Sequence, residues 1–299
     1  MTTISKKAKL PLVKNASRLI YRTKPYLFVA PAVLLAGLFC WFPAFKGFIE
    51  SFLTVNQGGK ILGFAGLSNY KILFTDKAFL SSLKITGLFI ILFVPANTFL
   101  TLLAASLTRR KSKHSHLPEY LFFSPVAVSL SAYSLLFKEM FRGKASVINR
   151  LLGLNYGWIT EPVGAMFTLV VLGVFLDFGL DYILLMCAFR STDKNVIEAA
   201  RMDGAGGWRL FFDMELPLIR ETVLVTVFLA LKDAILISAP IIILTEGGPF
   251  RSTETIMFYY YVEAFKSGNR AVQNALSSLV LTLAGCAMAV YNLRRRKRT

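Results

Sequence analysis

The sequence predicts an all-α protein that crosses a membrane six times, and three observations support that fold class. Of its 299 residues, 55% are hydrophobic and 26 are Phe. Charged residues make up only 17%, against roughly 25% in an average soluble domain. Long apolar runs recur along the chain without the alternation of a β-barrel, and each is long enough to form a bilayer-spanning helix.

A helix that crosses the hydrocarbon core needs about 20 mostly apolar residues. Six stretches meet this requirement, at residues 26–48, 80–107, 118–138, 163–189, 219–244 and 271–293. They predict one transmembrane domain over residues 26–293, between a basic arm at 1–25 and a basic tail at 294–299. Prolines inside the spans, such as Pro95 and Pro240, predict kinks or broken turns.

The charge of the chain is strongly positive, at +17. In a soluble protein such a surplus would favour nucleic acid, but here the basic residues lie next to apolar spans, where they set orientation. Lys and Arg concentrate in the N-terminal arm, the 108–117 loop, the 190–218 loop and the tail. The positive-inside rule therefore places both termini and these loops in the cytoplasm. The expected surroundings are membrane lipid, with no nucleic acid.

The cysteines and histidines do not predict a metal site. Cys40, Cys187 and Cys286 each lie in an apolar stretch, and no pair has the spacing of metal ligands. We interpret them as small buried residues. His114 and His116 lie in a basic loop. The sequence thus predicts no metal ligand and no catalytic residue, and we do not expect an enzyme.

The 190–218 loop carries the stretch EAARMDGAGGWRLFFDMELP. Ser191, Thr192 and Asp193 are all N-cap types for a first short helix with one apolar side. Asp203-Gly204 ends that helix, and Gly206-Gly207 prevents an immediate restart. A second short amphipathic segment then leads to Pro217, which precedes the next span. Helices this short are not stable alone, so something must cover their apolar sides.

Three interpretations of this loop are open from the residues alone. It could lie on the lipid interface. It could form a hairpin around Asp203-Gly204, although its flanks lack strand alternation. It could also be a docking element for a cytosolic partner.

The stretch resembles the EAA loop of permease subunits of binding-protein-dependent ABC importers. That family's pattern reads E-A-A-x-x-D-G-A-x5-F-x2-I-x-L-P, and Met214 stands in place of the usual Ile. The matching positions are Glu198, Ala199, Ala200, Asp203, Gly204, Ala205, Phe211, Leu216 and Pro217. The resemblance implies a type I ABC importer permease fold in which this EAA loop (residues 190–218) couples to an ATPase.

A second stretch, LTEGGP at residues 244–249, is similar to the outer loop of carbohydrate-type permeases, such as those for maltose and glycerol-3-phosphate. The expected turn residues are Gly247, Gly248 and Pro249. Ser252 or Thr253 is expected to cap a short outer helix. Its tyrosines at 259–261 suit membrane anchoring, and ligand contact is the alternative.

The chain has no G-x-x-x-x-G-K-[ST] motif, since the nearest fragment, residues 142–146, lacks the upstream Gly. We therefore expect no cofactor on this chain, with ATP and Mg bound by partners. The resemblance implies two ATPase subunits, a second and non-identical permease subunit, and an extracytoplasmic solute-binding protein. The expected function is to form half of the path for a carbohydrate or polyol across a bacterial-type plasma (inner) membrane.

Four charged residues fall within predicted spans: Asp177, Asp181, Lys232 and Asp233. Such charges cost about 2.5–3.5 kcal/mol each on insertion scales, so they usually face a cavity or a partner. Asp177 and Asp181 are four residues apart and share a helix face. They could line the substrate path or form a paired network with Lys232. The rival class is a proton-coupled secondary transporter that uses these carboxylates, but such a carrier needs no EAA loop.

Overall fold

The computed structural model describes residues 26–56, 58–109 and 116–282. Its helices are α1 Tyr26–Glu50, α2 Ser68–Thr75, α3 Lys77–Thr108, α4 His116–Phe123, α5 Leu130–Phe141, α6 Val147–Leu152, α7 Pro162–Ser191, α8 Lys194–Met202, α9 Gly207–Arg209, α10 Leu216–Leu236, α11 Ala239–Leu244, α12 Ile256–Tyr261 and α13 at 270–282. The basic arm (1–25), the tail (294–299), most of the basic loop with His114, and the end of the sixth predicted span with Cys286 lie outside the described residues.

The chain divides into two compact units. The first comprises residues up to Leu73 together with those from Asn269 onward. It holds α1, α13 and an antiparallel hairpin that the sequence did not predict, β1 Leu53–Val55 with β2 Ile61–Phe64. The hairpin turns at Gly59, whose φ is +82°, a conformation that glycine adopts without strain.

The second unit, Phe74–Gly268, contains the helices α3 to α12. The two longest, α3 and α7, have 32 and 30 residues and are apolar enough to cross a bilayer, as is α1. All three begin and end within three residues of the predicted spans. Asp76 caps the start of α3 by accepting a hydrogen bond from the Ala78 amide at 2.8 Å, and Pro162 occupies the first turn of α7.

The third predicted span is not one straight helix. α4 continues as a 3₁₀ turn, Ser124–Ala127, and α5 leaves it at an angle of 103°. Pro125 lies in the 3₁₀ turn, and Ser129 starts α5 by accepting a hydrogen bond from the Ala132 amide at 3.3 Å. Counted with this bent pair, up to four helices in the described part of the chain could span a membrane.

The fifth predicted span, 219–244, is broken in two. α10 ends at Leu236, Ile237 is extended, and α11 begins at Ala239. Pro240 fits the break, because it has no N–H to donate to the Leu236 carbonyl four residues earlier and it occupies the first turn of α11, where that N–H is not needed. The Thr255 hydroxyl donates to the exposed Ile237 carbonyl at 3.0 Å, which satisfies a backbone group that the break releases.

The second unit has two buried apolar clusters. The larger packs α3 against α7, with Phe89, Phe93 and Leu169 at its centre. Gly173 permits this packing, since a Cβ there would lie 3.0 Å from the Phe93 ring. The smaller cluster includes Phe189 at the end of α7 and Ile219 at the start of α10. It therefore supports the EAA loop, which connects these two helices.

Candidate functional site

The backbone of the EAA loop follows the sequence prediction in its first half. Asp193 accepts a hydrogen bond from the Asn195 amide at 2.9 Å and starts α8. Gly204, with a φ of +85°, ends the helix, and the Ala205 amide bonds to the Ala200 carbonyl at 2.9 Å. This is the left-handed glycine termination that Asp203-Gly204 predicts.

The second half differs from the prediction of a separate short helix. α9 runs through a π-helical segment, Leu210–Glu215, directly into α10. Pro217 gives the physical reason, because it has no N–H to donate to the carbonyl four residues earlier. The Leu216 amide bonds instead to the Phe211 carbonyl, five residues back. The same arrangement occurs in α1, where a π-helical stretch, Gly37–Trp41, precedes Pro43.

The motif side chains divide into two sets. Those facing away from the protein are Glu198, Ala199, Asp203, Gly204 and Pro217, all of which are exposed. Those facing the helix ends are Ala200, which is buried, and Ala205, Phe211 and Leu216, which are half-buried. Phe211 and Leu216 pack against the smaller apolar cluster. The inward set thus fastens the loop, and the outward set remains available to a partner.

Large apolar side chains also stand exposed along the loop. Met202 is 89% exposed and Trp208 is 75% exposed. Trp208 stacks on Phe212 with ring centroids 5.8 Å apart, so the two rings form one apolar patch. A patch of this kind on a connecting loop indicates a binding surface.

Two residues outside the motif hold the loop in place. Glu215, at the end of the π-helical segment, is buried and forms an ion pair with Arg109 at 2.7 Å. In the sequence, Arg109 is one of several basic residues of the 108–117 loop that set orientation, and no local pattern indicates a role for Glu215. They are 106 positions apart in sequence, so no local pattern could have joined them.

The intramembrane charges do not form one network. Asp177 and Asp233 line a cavity of about 180 Å³ beside the break in the fifth predicted span, together with Phe89, Phe93 and Gly173. Asp177 therefore has the position expected of a residue on a solute path.

The other charges have separate partners. Asp181 is buried and accepts a hydrogen bond from the Asn97 side chain at 2.7 Å. Lys232 pairs with its neighbour Asp233 at 2.8 Å. Within the described residues, Lys232 forms no ion pair with Asp177 or Asp181. The hypothesis of a carboxylate network closed by Lys232 thus has no support in the observed pairing.

The predicted turn at Gly247-Gly248-Pro249 is present, and Gly247 has a φ of +84°. We name residues 245–255 the Gly-Gly-Pro loop. The Thr253 hydroxyl lies 2.7 Å from that of Thr245 and donates to the Gly248 carbonyl at 2.8 Å. Thr253 is thus part of the turn and does not cap the outer helix.

The cap of the outer helix α12 is Thr255, which accepts a hydrogen bond from the Phe258 amide at 3.4 Å. Tyr259 does not anchor the chain at the interface, because it is buried and donates to Asp76 at 2.7 Å. Burial, and then the hydrogen bond to Asp76, raise the pKa of the Tyr259 hydroxyl above its ordinary value. The tyrosine therefore stays protonated as the donor at physiological pH.

Among the described residues there is no group of three or more His, Cys, Asp or Glu side chains that could hold a metal ion.

No protein-family model matches the chain. Known proteins do match, however, over nearly its whole length.

The lactose transport system permease protein LacF of Rhizobium radiobacter is 30% identical over 295 residues, which are 95% of this chain and 98% of that protein. The sn-glycerol-3-phosphate transport system permease protein UgpA of Yersinia pestis is 30% identical over 274 residues, 90% and 92% of the two chains. The crystal structure of a bacterial ABC transporter involved in the import of the acidic polysaccharide alginate matches with a TM-score of 0.79 and 19% identity, covering 95% of this chain and 99% of that one.

The helical fold and the apolar spans thus define a membrane protein, and its relatives are transport permeases. The chain belongs to the family of ABC importer permease subunits, in its carbohydrate branch. The resemblance that the EAA and Gly-Gly-Pro motifs predict is confirmed.

Proposed function

We propose that this chain forms half of the translocation path of an ATP-driven importer for a carbohydrate or related polyol, and that its EAA loop couples the path to cytosolic ATPase subunits. The observation that carries the proposal is the division of the motif between an exposed set and a set packed on the ends of α7 and α10. A loop built in this way can hold a partner on one side and transmit its movement to the spans on the other.

The solute class is drawn from the relatives, whose names specify lactose and sn-glycerol-3-phosphate. The cavity beside Asp177 supports it, because a carboxylate can accept hydrogen bonds from the hydroxyl groups of a sugar or polyol. Asp177 and Asp233 are the proposed path residues. Asp181 and Lys232 do not line the cavity, and they belong to the surrounding polar shell, where they contact Asn97 and Asp233.

The proposed assembly contains this chain, a second and non-identical permease, and two ATPase subunits that bind ATP and Mg. A solute-binding protein on the outer side is the fourth component. The structure of the alginate importer supports a solute-binding protein as a component, since that transporter was crystallised in complex with an alginate pentasaccharide-bound periplasmic protein. We place the chain in a bacterial inner membrane, with six spans over residues 26–293 and both basic ends in the cytoplasm.

Co-purification and solute-stimulated ATP hydrolysis test the proposal. The chain is expressed with its neighbouring permease, ATPase and binding-protein genes, and the purified complex is tested in proteoliposomes against a panel of sugars and polyols. We expect the ATPase to co-purify and one solute class to stimulate hydrolysis. With the ATPase alone as partner, this chain should give no solute-dependent hydrolysis. Uptake driven by a proton gradient without ATP would instead support the secondary transporter.

A further inference from the structure

Arg109 lies where three segments of the second unit meet. It follows directly after α3, and its Nη2 atom lies 2.7 Å from Oε2 of Glu215. The two side chains are only 20% and 7% exposed. The Nη1 atom also donates to the Ser106 carbonyl at 2.9 Å, which fixes the side chain against its own helix.

The guanidinium group also lies on two aromatic rings. Its central carbon is 5.7 Å from the centroid of Phe189, near the end of α7, and 5.9 Å from that of Phe211, in the EAA motif. These rings stack on each other with centroids 6.4 Å apart. A planar guanidinium can stack on rings and pair with a carboxylate at the same time, whereas an ammonium cannot.

This pair is more buried than the two ion pairs on the surface of the EAA loop and α10, Arg209–Asp213 and Arg220–Glu221. Arg220 and Glu221, in the first turns of α10, are 74% and 85% exposed and 3.9 Å apart. Exposed pairs of this geometry contribute little. Loss of one partner of a buried pair leaves a charge without compensation, which is costly.

The position of Glu215 shows where the ion pair with Arg109 acts on the chain. It lies at the junction between the EAA loop and α10, in a π-helical segment, a rare conformation that is frequent at functional sites. We propose that Arg109 is a positioning residue that clamps this junction to the ends of α3 and α7, so that displacement of the EAA loop moves the spans. This inference rests on the proposed function and identifies how its coupling element is held.

The test is the ratio of solute transported to ATP hydrolysed in the complete reconstituted importer. Arg109→Gln should still assemble with the ATPase, because Arg109 is not on the exposed side of the loop. Uptake per ATP should fall by about fivefold or more, since a coupling between two sites is usually a factor of roughly 5–150. The control, Arg220→Gln, removes the same charge at the same end of the molecule and should leave the ratio unchanged.

Two further variants keep the test decisive if Arg109→Gln is lost from the membrane. Glu215→Gln should lower uptake per ATP, and the exchange Arg109→Glu with Glu215→Arg should restore part of it, since the pair is re-formed. A merely structural role would reduce the amount of complex but not the ratio. A wild-type ratio in Arg109→Gln, or in Glu215→Gln where the first cannot be measured, would overturn the inference. Failure of the proposed function is distinct, because then the wild-type chain itself would bind no ATPase.

Discussion

The EAA loop and the Gly-Gly-Pro loop both connect helices of the second unit, but they are held in different ways. In the Gly-Gly-Pro loop, Thr253 and Thr255 are fully buried, and their hydroxyls bond to Thr245, to the Gly248 carbonyl and to the Ile237 carbonyl. The EAA loop is fastened by aromatic packing and one buried ion pair, and it leaves Met202 and Trp208 exposed.

The difference shows which of the two loops requires a partner to cover its exposed apolar side chains. In the Gly-Gly-Pro loop the two buried threonines are satisfied by this chain and can serve as a rigid support. That loop also has one exposed apolar residue, Phe250, and a buried Ser252 hydroxyl without a partner among the described residues. A loop with large exposed apolar side chains on short helices is incomplete without a partner. The EAA loop is therefore the expected site of assembly, and the Gly-Gly-Pro loop is the expected fixed end of the broken fifth span.

The largest predicted difference between the two loops is the side of the membrane from which a thiol reagent can reach them. In a chain free of native cysteines, Phe250→Cys should react with an impermeant thiol reagent in intact cells, and Met202→Cys only after the cells are opened. Both side chains are exposed, at 93% and 89%, so burial cannot explain a difference. Labelling of both in intact cells, or of Met202→Cys alone, would reject the proposed orientation.

The next effect is loss of transport on Gly204→Pro. Gly204 has a φ of +85° and donates to the Arg201 carbonyl at 3.0 Å. Proline can supply neither the angle nor the N–H, so it should displace the outward side of the EAA loop. We expect uptake to fall below about a tenth of the wild-type rate, since a change of about 3 kcal/mol reaches the upper end of the usual coupling energy. Membrane content should be normal.

The control for this variant is Gly206→Ala. Gly206 has a φ of −130°, and no atom lies within 4 Å of the place its Cβ would occupy. The Gly206→Ala variant should therefore transport solute at the wild-type rate. Normal transport by Gly204→Pro with the ATPase bound would exclude the docking role.

The sequence predicted those features that are decided by neighbours in the chain. The ends of α3 and α7 follow from apolar runs bounded by caps, and the end of α8 follows from Asp203-Gly204. The family resemblance added the division between this chain and its ATP-binding partners.

The features that the sequence did not predict depend on contacts across the fold. The prolines predict kinks or broken turns, and the break at Ile237 does lie beside Pro240. The 103° bend before α5 lies in a stretch that is apolar enough for a continuous span. A hydropathy pattern measures length and cannot locate a change of direction. Arg109 and Glu215, and likewise Asn97 and Asp181, meet only because α3 packs near α7 and α10.

Two carboxylates within α7 differ in a similar way, since one faces a cavity and the other is bonded within the protein. This difference predicts a smaller effect on solute dependence and expression. Asp177 lines the cavity, whereas Asp181 is buried against Asn97. Asp177→Asn should shift the solute concentration for half-maximal ATPase stimulation by about tenfold, equal to about 1.4 kcal/mol, with normal expression. Asp181→Leu should instead lower expression, because it leaves the Asn97 amide unpaired at a cost of about 1–3 kcal/mol.

The measurement for this pair is solute-stimulated ATPase activity beside the amount of complex in the membrane. Asp181→Asn is the control, since an amide oxygen can still accept from Asn97. If Asp177→Asn leaves the solute dependence unchanged, the cavity is not part of the path.

The smallest effect expected is on stability, from Thr253→Val. Valine keeps the shape of the side chain but removes the hydroxyl that donates to the Gly248 carbonyl and contacts the Thr245 hydroxyl. Unpaired buried groups cost about 1–3 kcal/mol, and each kcal/mol lowers the apparent Tm of a protein of this size by roughly 2–4 °C. Thr253→Ser keeps the hydroxyl and should change the Tm less.

Uptake per ATP should be unchanged in Thr253→Val, because the variant loosens a support and leaves the EAA loop intact. The apparent Tm is measured on the purified complex in detergent, and uptake per ATP in proteoliposomes. If Thr253→Val has the wild-type Tm but its ATPase activity is no longer stimulated by the binding protein, the proposed difference between the two loops is wrong. The Gly-Gly-Pro loop would then be a contact surface for that partner, and both loops, rather than the EAA loop alone, would be sites of assembly.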